Sequence, residues 1–143
     1  MEILYKRTIQ ADHPFTVSDI RWLSVEEGSV FRMHLGLCGQ KPLPESMWAE
    51  IYEEGTVYCG LFVEDMMVGR ACVEKYSPDA WEVADVPVAK PYRNRGYASR
   101  LCYFVLSYIL SQGKAATIRT EEDNLAMQRV IEKLGFTRCG LDI

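Results

Sequence analysis

Residues Trp81–Gln112 read WEVADVPVAKPYRNRGYASRLCYFVLSYILSQ, and three parts of this stretch decide the fold. Trp81 to Val88 is short, apolar and β-branched, the composition of a strand. Ala89 to Tyr97 is a basic turn built on Pro91 and Gly96. Ala98 to Gln112 is mostly apolar and too long for a strand, and Gly113 stops it as a helix. A strand entering a helix through a glycine-containing turn aims backbone N–H groups outward, and the helix dipole adds positive potential at the same spot. The stretch therefore reads as a phosphate site.

Upstream, Thr56 to Val63 and Met67 to Tyr76 read as two strands of a hairpin turning at Glu64-Asp65, and Ser77-Pro78-Asp79 turns the chain into Trp81. Earlier still, Asp19 to Leu23 suits a first strand. Ser24 suits the cap of a helix over Val25 to Leu37, with Glu27 completing a capping box. Pro44 introduces a second helix, Glu45 to Glu53, ended by Gly55. Residues 1–16 read either as an added strand or as a loose arm, with residues 17–143 as a single domain.

Downstream, Ala115 to Thr120 is a short strand. The crossover helix between it and Trp81–Val88 implies a parallel pair. Glu121-Glu122-Asp123-Asn124 is an acidic helix start, after which Met127, Val130, Ile131 and Leu134 form one apolar face. Gly135 ends this helix, and Phe136 to Ile143 reads as a last strand. The sum is an α/β domain: a mixed, mostly antiparallel sheet with a central parallel pair, flanked by helices.

Bulk properties narrow the function. At 143 residues the chain can bury a core without staples, and a net charge of −4 argues against non-specific nucleic-acid binding. No apolar run reaches membrane-spanning length, and the first ten residues lack the apolar core of a signal peptide. Five cysteines, scattered and without a C-x-x-C pair, suggest neither a disulfide framework nor a metal site. They read as reduced thiols, mostly buried, in a cytoplasmic protein. Neither G-x-G-x-x-G nor G-x-x-x-x-G-K-[ST] is present, which disfavours a dinucleotide or P-loop fold.

Arg93-Asn94-Arg95-Gly96-Tyr97-Ala98 matches the R/Q-x-x-G-x-G/A signature of the GNAT N-acetyltransferases, and Asn124 with Lys133-Leu134-Gly135-Phe136 is similar to that family's later N…KLGF pattern. The resemblance runs from Trp81 to Phe136 and implies the GNAT-like fold, with acetyl-CoA as cosubstrate and a primary amine as acceptor, on a small molecule, a protein or a peptide. Pyrophosphate would then sit on the backbone of Asn94, Arg95, Gly96, Tyr97, Ala98 and Ser99. Arg93, Arg95, Lys90 and Arg100 would add charge. The alternative for the turn alone is a solvated basic loop.

The same resemblance places the pantetheine arm against the backbone of Val86 and Val88, with Pro87 suited to a strand whose pairing is interrupted. Asn124 would reach that arm, or act only as a helix cap. An ammonium acceptor must lose a proton before it attacks a thioester. Glu82 stands eleven residues before Arg93, the offset of the catalytic glutamate in histone-acetylating relatives. By the period of two it shares a face with Ala84, Val86 and Val88. Its alternative is a solvent-facing strand end, and Asp85 is the second candidate base. Tyr103 and Tyr108 read as core, and His13 and His34 as isolated loop and helix-surface residues. Phe31 to Glu54 would roof the acceptor pocket, although its acidic residues also fit a plain solvated helix face.

Two departures from the family pattern stand out. Ile131 occupies the position where many relatives carry a tyrosine that protonates the leaving thiolate. One strand is missing after KLGF, so the N-terminal segment or a second subunit, as in a homodimer, would have to cover an exposed edge. The rival readings are a non-catalytic acyl-CoA-binding or regulatory module and a CoA-independent interaction domain.

Overall fold

A computed structural model describes residues 1–7 and 15–142. Along the chain run β1 (Glu2–Arg7), β2 (Ile20–Trp22), α1 (Gly28–Leu37), α2 (Glu45–Glu53), β3 (Thr56–Val63), β4 (Met66–Glu74), β5 (Ala80–Ala84), α3 (Tyr97–Ser111), β6 (Ala115–Glu121), α4 (Leu125–Lys133) and β7 (Thr137–Asp142). The strands form one sheet in the order β2-β3-β4-β5-β6-β1-β7. Every neighbouring pair is antiparallel except β5–β6, which is parallel, as the crossover through α3 requires.

Local chemistry accounts for most element ends. Glu64 and Asp65 take φ values of +50° and +65°, the left-handed pair that closes a two-residue hairpin between β3 and β4. The expected capping box is formed, with the Ser24 N–H donating to the Glu27 carboxylate at 2.9 Å. The helix expected over Val25 to Leu37 opens with a single 3-10 turn, Val25–Glu27, before α1 begins.

Alternation then divides the core between the two sheet faces. Leu101, Cys102, Val105, Leu106 and Ile109 of α3 pack with Ile131 and Leu134 of α4 on one face, above Val68, Ala71, Val73, Val83, Ala116 and Ile118. On the other face Phe31, Leu35 and Trp48 of α1 and α2 cover Tyr58, Met67 and Cys72. Trp48 is buried, so α2 is not a purely solvated helix, while Glu45, Glu50 and Glu53 are exposed.

β1 is seated beside β7, the strand that follows KLGF. It runs antiparallel between β6 and β7, with Tyr5 opposite both Ile118 and Arg138. Ile3 and Tyr5 are buried under α4's side of the sheet, which makes residues 2–7 an interior strand. His13 lies outside the described residues.

Candidate functional site

The site begins where β5 stops. Val83 still pairs with Ile118 of β6, but β5 ends at Ala84, while β6 continues to Glu121. The strand expected to reach Val88 is therefore shorter, and Asp85 at φ +49° is the break. The period of two does not survive it, so Val86 and Val88 do not continue the face that carries Glu82 and Ala84. A left-handed residue redirects the chain, and no ladder passes through it.

Beyond the break the chain swings onto β4. Val88 forms a single antiparallel bridge with Gly69: the Arg70 N–H donates to the Pro87 carbonyl at 3.2 Å and the Ala89 N–H to the Val68 carbonyl at 2.8 Å. Gly69 allows this close approach, because a Cβ would stand 2.8 Å from Leu101 Cδ1 and force that side chain to shift. In such a bridge the hydrogen bonds belong to the flanking residues, so Val88's own N–H and carbonyl point away from β4, towards β6. Among the described residues neither the Val86 nor the Val88 N–H has a protein partner.

The turn follows. After a 3-10 turn at Lys90–Tyr92, Asn94 (φ +64°) and Gly96 (φ +78°) bend the backbone into the start of α3. No side chain caps this helix, and its first intrahelical bond is from the Arg100 N–H to the Gly96 carbonyl. The N–H groups of Tyr97, Ala98 and Ser99 are thus left to an external acceptor, with the dipole behind them.

These pieces line one cleft of about 560 Å³, which brings together Val86, Val88, Arg93, Asn94, Gly96, Tyr97, Ala98, Ser99 and Asn124. The basic side chains behave less simply than a phosphate clamp. Arg93 Nε donates to the Val88 carbonyl at 2.9 Å and so ties the turn to the bridged segment. Arg95 donates to the Pro91 carbonyl, lies over the Tyr92 ring and is outside the cleft lining. Arg100 is ion-paired with Asp19. The cation that sequence reasoning missed is Arg129 of α4, exposed and in the lining together with Tyr92, Ala126, Met127 and Val130. Asn124 caps α4, its Oδ1 accepting the Met127 N–H at 3.2 Å, which leaves its amide NH₂ for the cleft.

Where β5 and β6 diverge, a second hollow of about 200 Å³ continues from the cleft, sharing Val86, Asn124 and Met127 with it. Asp85 and Arg119 both line it. Glu82 is outside both linings. It is 8% exposed, accepts from Thr117 Oγ1 at 3.1 Å and is ion-paired with Arg119. Burial raises its carboxyl above the usual value, against the opposing pull of Arg119 and Thr117. Asp85 is engaged by the Tyr58 hydroxyl at 2.7 Å and by Arg70.

His34 is not on a helix surface, as expected, but fully buried, with Arg70 Nη1 3.1 Å from its Nδ1. Burial lowers its pKa. The mismatch arose because α1 turns this face onto Arg70, a charge placed 36 residues away in sequence. Ile131 is fully buried in the core, while Tyr103 and Tyr108 are partly buried against it. Among the described residues no group of three or more His, Cys, Asp or Glu side chains is arranged to hold a metal ion, and no helix is long and apolar enough to cross a membrane.

Comparison with known proteins agrees with the fold. The model of the Acetyltransferase (GNAT) family matches residues 21–136. Among solved structures, an acetyltransferase of the GNAT family from Colwellia psychrerythraea is similar at 20% identity and a TM-score of 0.75, over 96% of this chain and 52% of its own. AAC(6')-Iy, solved with the bisubstrate analog CoA-S-monomethyl-acetylneamine, is similar at 20% identity and a TM-score of 0.72, over 87% of this chain and 94% of its own. The ribosomal-protein-S18-alanine N-acetyltransferase of Escherichia coli is similar at 18% identity and a TM-score of 0.68, over 82% and 76%. At these identities the likeness carries the fold. The chain spans little more than half the length of the Colwellia protein and 59% of a GNAT-family chain from Novosphingobium aromaticivorans. No curated protein matches it in sequence.

Proposed function

The chain belongs to the GNAT acetyltransferase family, and on that premise we propose that it transfers an acetyl group from acetyl-CoA to a primary amine. The observation that carries the proposal is the break at Asp85. It opens a gap between two parallel strands, and the gap joins an uncapped helix N-terminus in one cleft. The unpartnered N–H groups at Val86, Val88 and residues 97–99 and the cleft's volume fit an elongated ligand with an anionic end. When bound, acetyl-CoA would supply an activated acyl group on a thioester.

In this reading the backbone of Asn94 to Ser99 holds pyrophosphate, and Arg129 adds the charge that Arg95 and Arg100 direct elsewhere. Val86, Val88 and the Asn124 amide orient the pantetheine arm. The Val88 or Val86 N–H meets negative charge developing on the thioester oxygen. Glu82, its pKa raised by burial and set back from the cleft, accepts the amine's proton through water. Asp85 is the alternative acceptor, because it lines the hollow itself. The acceptor is a small-molecule amine or a protein or peptide amine. Burial pushes the Cys102 thiol up to about 12 and keeps Cys59 and Cys72 protonated as well, which suits unreactive thiols in the cytoplasm.

One set of observations favours a second reading, an acyl-CoA-binding module without turnover. Ile131 offers no proton, and Glu82 is already paired with Arg119. Calorimetry with acetyl-CoA, set beside thiol release across a panel of amines, separates the two. Binding with turnover on at least one amine supports the transferase. Binding with none supports the module, and no binding refutes both.

A further inference from the structure

An arginine taken out of water is unfavourable unless both its charge and its donors are met. Arg70, in β4, is 2% exposed, and its partners come from two other parts of the chain, α1 and the segment after β5. Nε and Nη2 donate to the Asp85 carboxylate at 3.1 to 3.2 Å. Nη1 lies 3.1 Å from His34 Nδ1, and the guanidinium sits 5.1 Å from the centre of the Phe31 ring. The Tyr58 hydroxyl donates to the same carboxylate at 2.7 Å. Arginine only donates, so His34 Nδ1 must accept. The imidazole is therefore neutral, with its proton on Nε2 facing Cys38 Sγ at 3.5 Å.

The cluster meets the backbone at the one place where the cleft is made. Asp85 is the left-handed residue at which β5 leaves β6, a conformation unfavourable for a residue with a side chain. Two residues on, the Pro87 carbonyl accepts the Arg70 N–H. Arg70 therefore grips the departing segment twice, by side chain at Asp85 and by main chain at Pro87. Without that grip the segment has an alternative: β6 remains a strand to Glu121, three residues beyond its last β5 partner at Ile118, and further parallel pairing would satisfy backbone groups on both sides. Such pairing would close the gap.

Resting on the reading of this cleft as the acetyl-CoA site, we infer that Arg70 is a positioning residue for acetyl transfer. Through Asp85 and Pro87 it holds residues 85–88 away from β6 and keeps the Val86 and Val88 N–H groups available. It touches neither substrate.

The test uses the full chain with Arg70→Met and two readouts. Calorimetry measures acetyl-CoA affinity, and amide hydrogen exchange follows Ala89 and position 70, whose N–H groups make the two bridge bonds. The expected result is at least tenfold weaker acetyl-CoA binding and at least tenfold faster exchange at those two amides, with Val105 inside α3 unchanged. Arg70→Lys, which keeps the charge and one donor, should recover part of both. Should Arg70→Met not fold, Tyr58→Phe removes one donor from the same carboxylate and should move both readouts in the same direction, by about threefold, on the scale of one lost hydrogen bond. Unchanged exchange at Ala89, or acceleration by the same factor at Ala89 and Val105, overturns the positioning role. Wild-type protein that binds no acetyl-CoA overturns the cofactor reading and the positioning role together, whereas wild-type binding with an unaltered variant overturns the positioning role alone.

Discussion

Gly96 is the position at which the phosphate reading is most exposed to refutation. Its φ is +78°, it lines the cleft, and a Cβ built there meets nothing within 4 Å, so an added side chain stands in open space at the cleft and not in the core. Two effects of substitution can be separated. Asparagine tolerates the left-handed region better than most residues, so Gly96→Asn chiefly obstructs the approach of pyrophosphate to the backbone. Losing one charge-assisted hydrogen bond, at about 1.5 to 3 kcal/mol, predicts weakening of acetyl-CoA by roughly tenfold to a hundredfold. Gly96→Asp adds a negative charge of the same size. At an effective dielectric of about 20, two unit charges about 5 Å apart repel by roughly 3 kcal/mol, reduced by solvent at an open cleft to about 1–2 kcal/mol. The aspartate variant should therefore bind a further tenfold or so more weakly than the asparagine variant, and this extra loss should shrink as salt rises from about 0.05 to 0.5 M. Calorimetry at both salt concentrations reads the affinities, and thermal melting should show the two variants within a few degrees of each other. Equal affinity for wild type and both variants would falsify the placement of pyrophosphate on this turn. A difference between Asn and Asp that is insensitive to salt would show that the charge argument is wrong.

Glu82→Gln should lower kcat by roughly 10²–10⁴ with acetyl-CoA affinity held, and the acid limb of the wild-type profile should lie above the ordinary carboxylate range because burial raises this pKa. A variant with wild-type kcat at every pH moves the role to Asp85 or to water. With Ile131 in place of a tyrosine acid, the same profile should rise with pH as the amine deprotonates and show no alkaline fall. A bell shape whose alkaline limb survives mutation of Tyr92 and Tyr97 as well as Tyr103 and Tyr108 refutes that. His34 has a pKa lowered by burial, so the unfolded chain binds its proton first. Stability should hold above about pH 6.5, the unfolded value, and fall as pH drops below it, towards the folded value. His34→Asn retains an acceptor for Arg70 but cannot titrate, and denaturant melts of this variant between pH 7.5 and 5 should be flatter than those of wild type. An equal pH slope in both proteins excludes His34 as the cause. Ile3→Ala, in an interior strand, should cost about 2–5 kcal/mol in urea unfolding. A loss below about 1 kcal/mol contradicts the packing of β1.

What was legible in the sequence is what depends on neighbours along the chain. Glu64-Asp65 predicts the hairpin because two residues between alternating strands leave one turn geometry. Met127, Val130, Ile131 and Leu134 predict the buried side of α4 because 3.6 residues complete a turn. Arg93 to Ser99 predicts an open helix N-terminus because Gly96 permits the bend and no capping side chain precedes α3. Nine of the ten residues read as cofactor-binding line one cleft for the same reason: strand, turn, helix and Asn124 come in an order that only a crossover satisfies.

The tertiary structure decided everything that required a partner from far along the chain. No local pattern says that Arg70, in the apolar run MMVGRACV, would be buried, because burial is tolerable only with Asp85, Tyr58 and His34 already around it, 12 to 36 residues away. Nor does local pattern say that the strand after Trp81 breaks at Asp85, since its β-branched residues favour extension to Val88; the break depends on the carboxylate's reach to β4 and on the bridge at Gly69. Arg93 is basic in the sequence and a staple on Val88 in the fold. The seating of β1 between β6 and β7 follows from edge pairing across more than a hundred residues, a choice made by unsatisfied backbone hydrogen bonds and not by any property of Glu2–Arg7 alone.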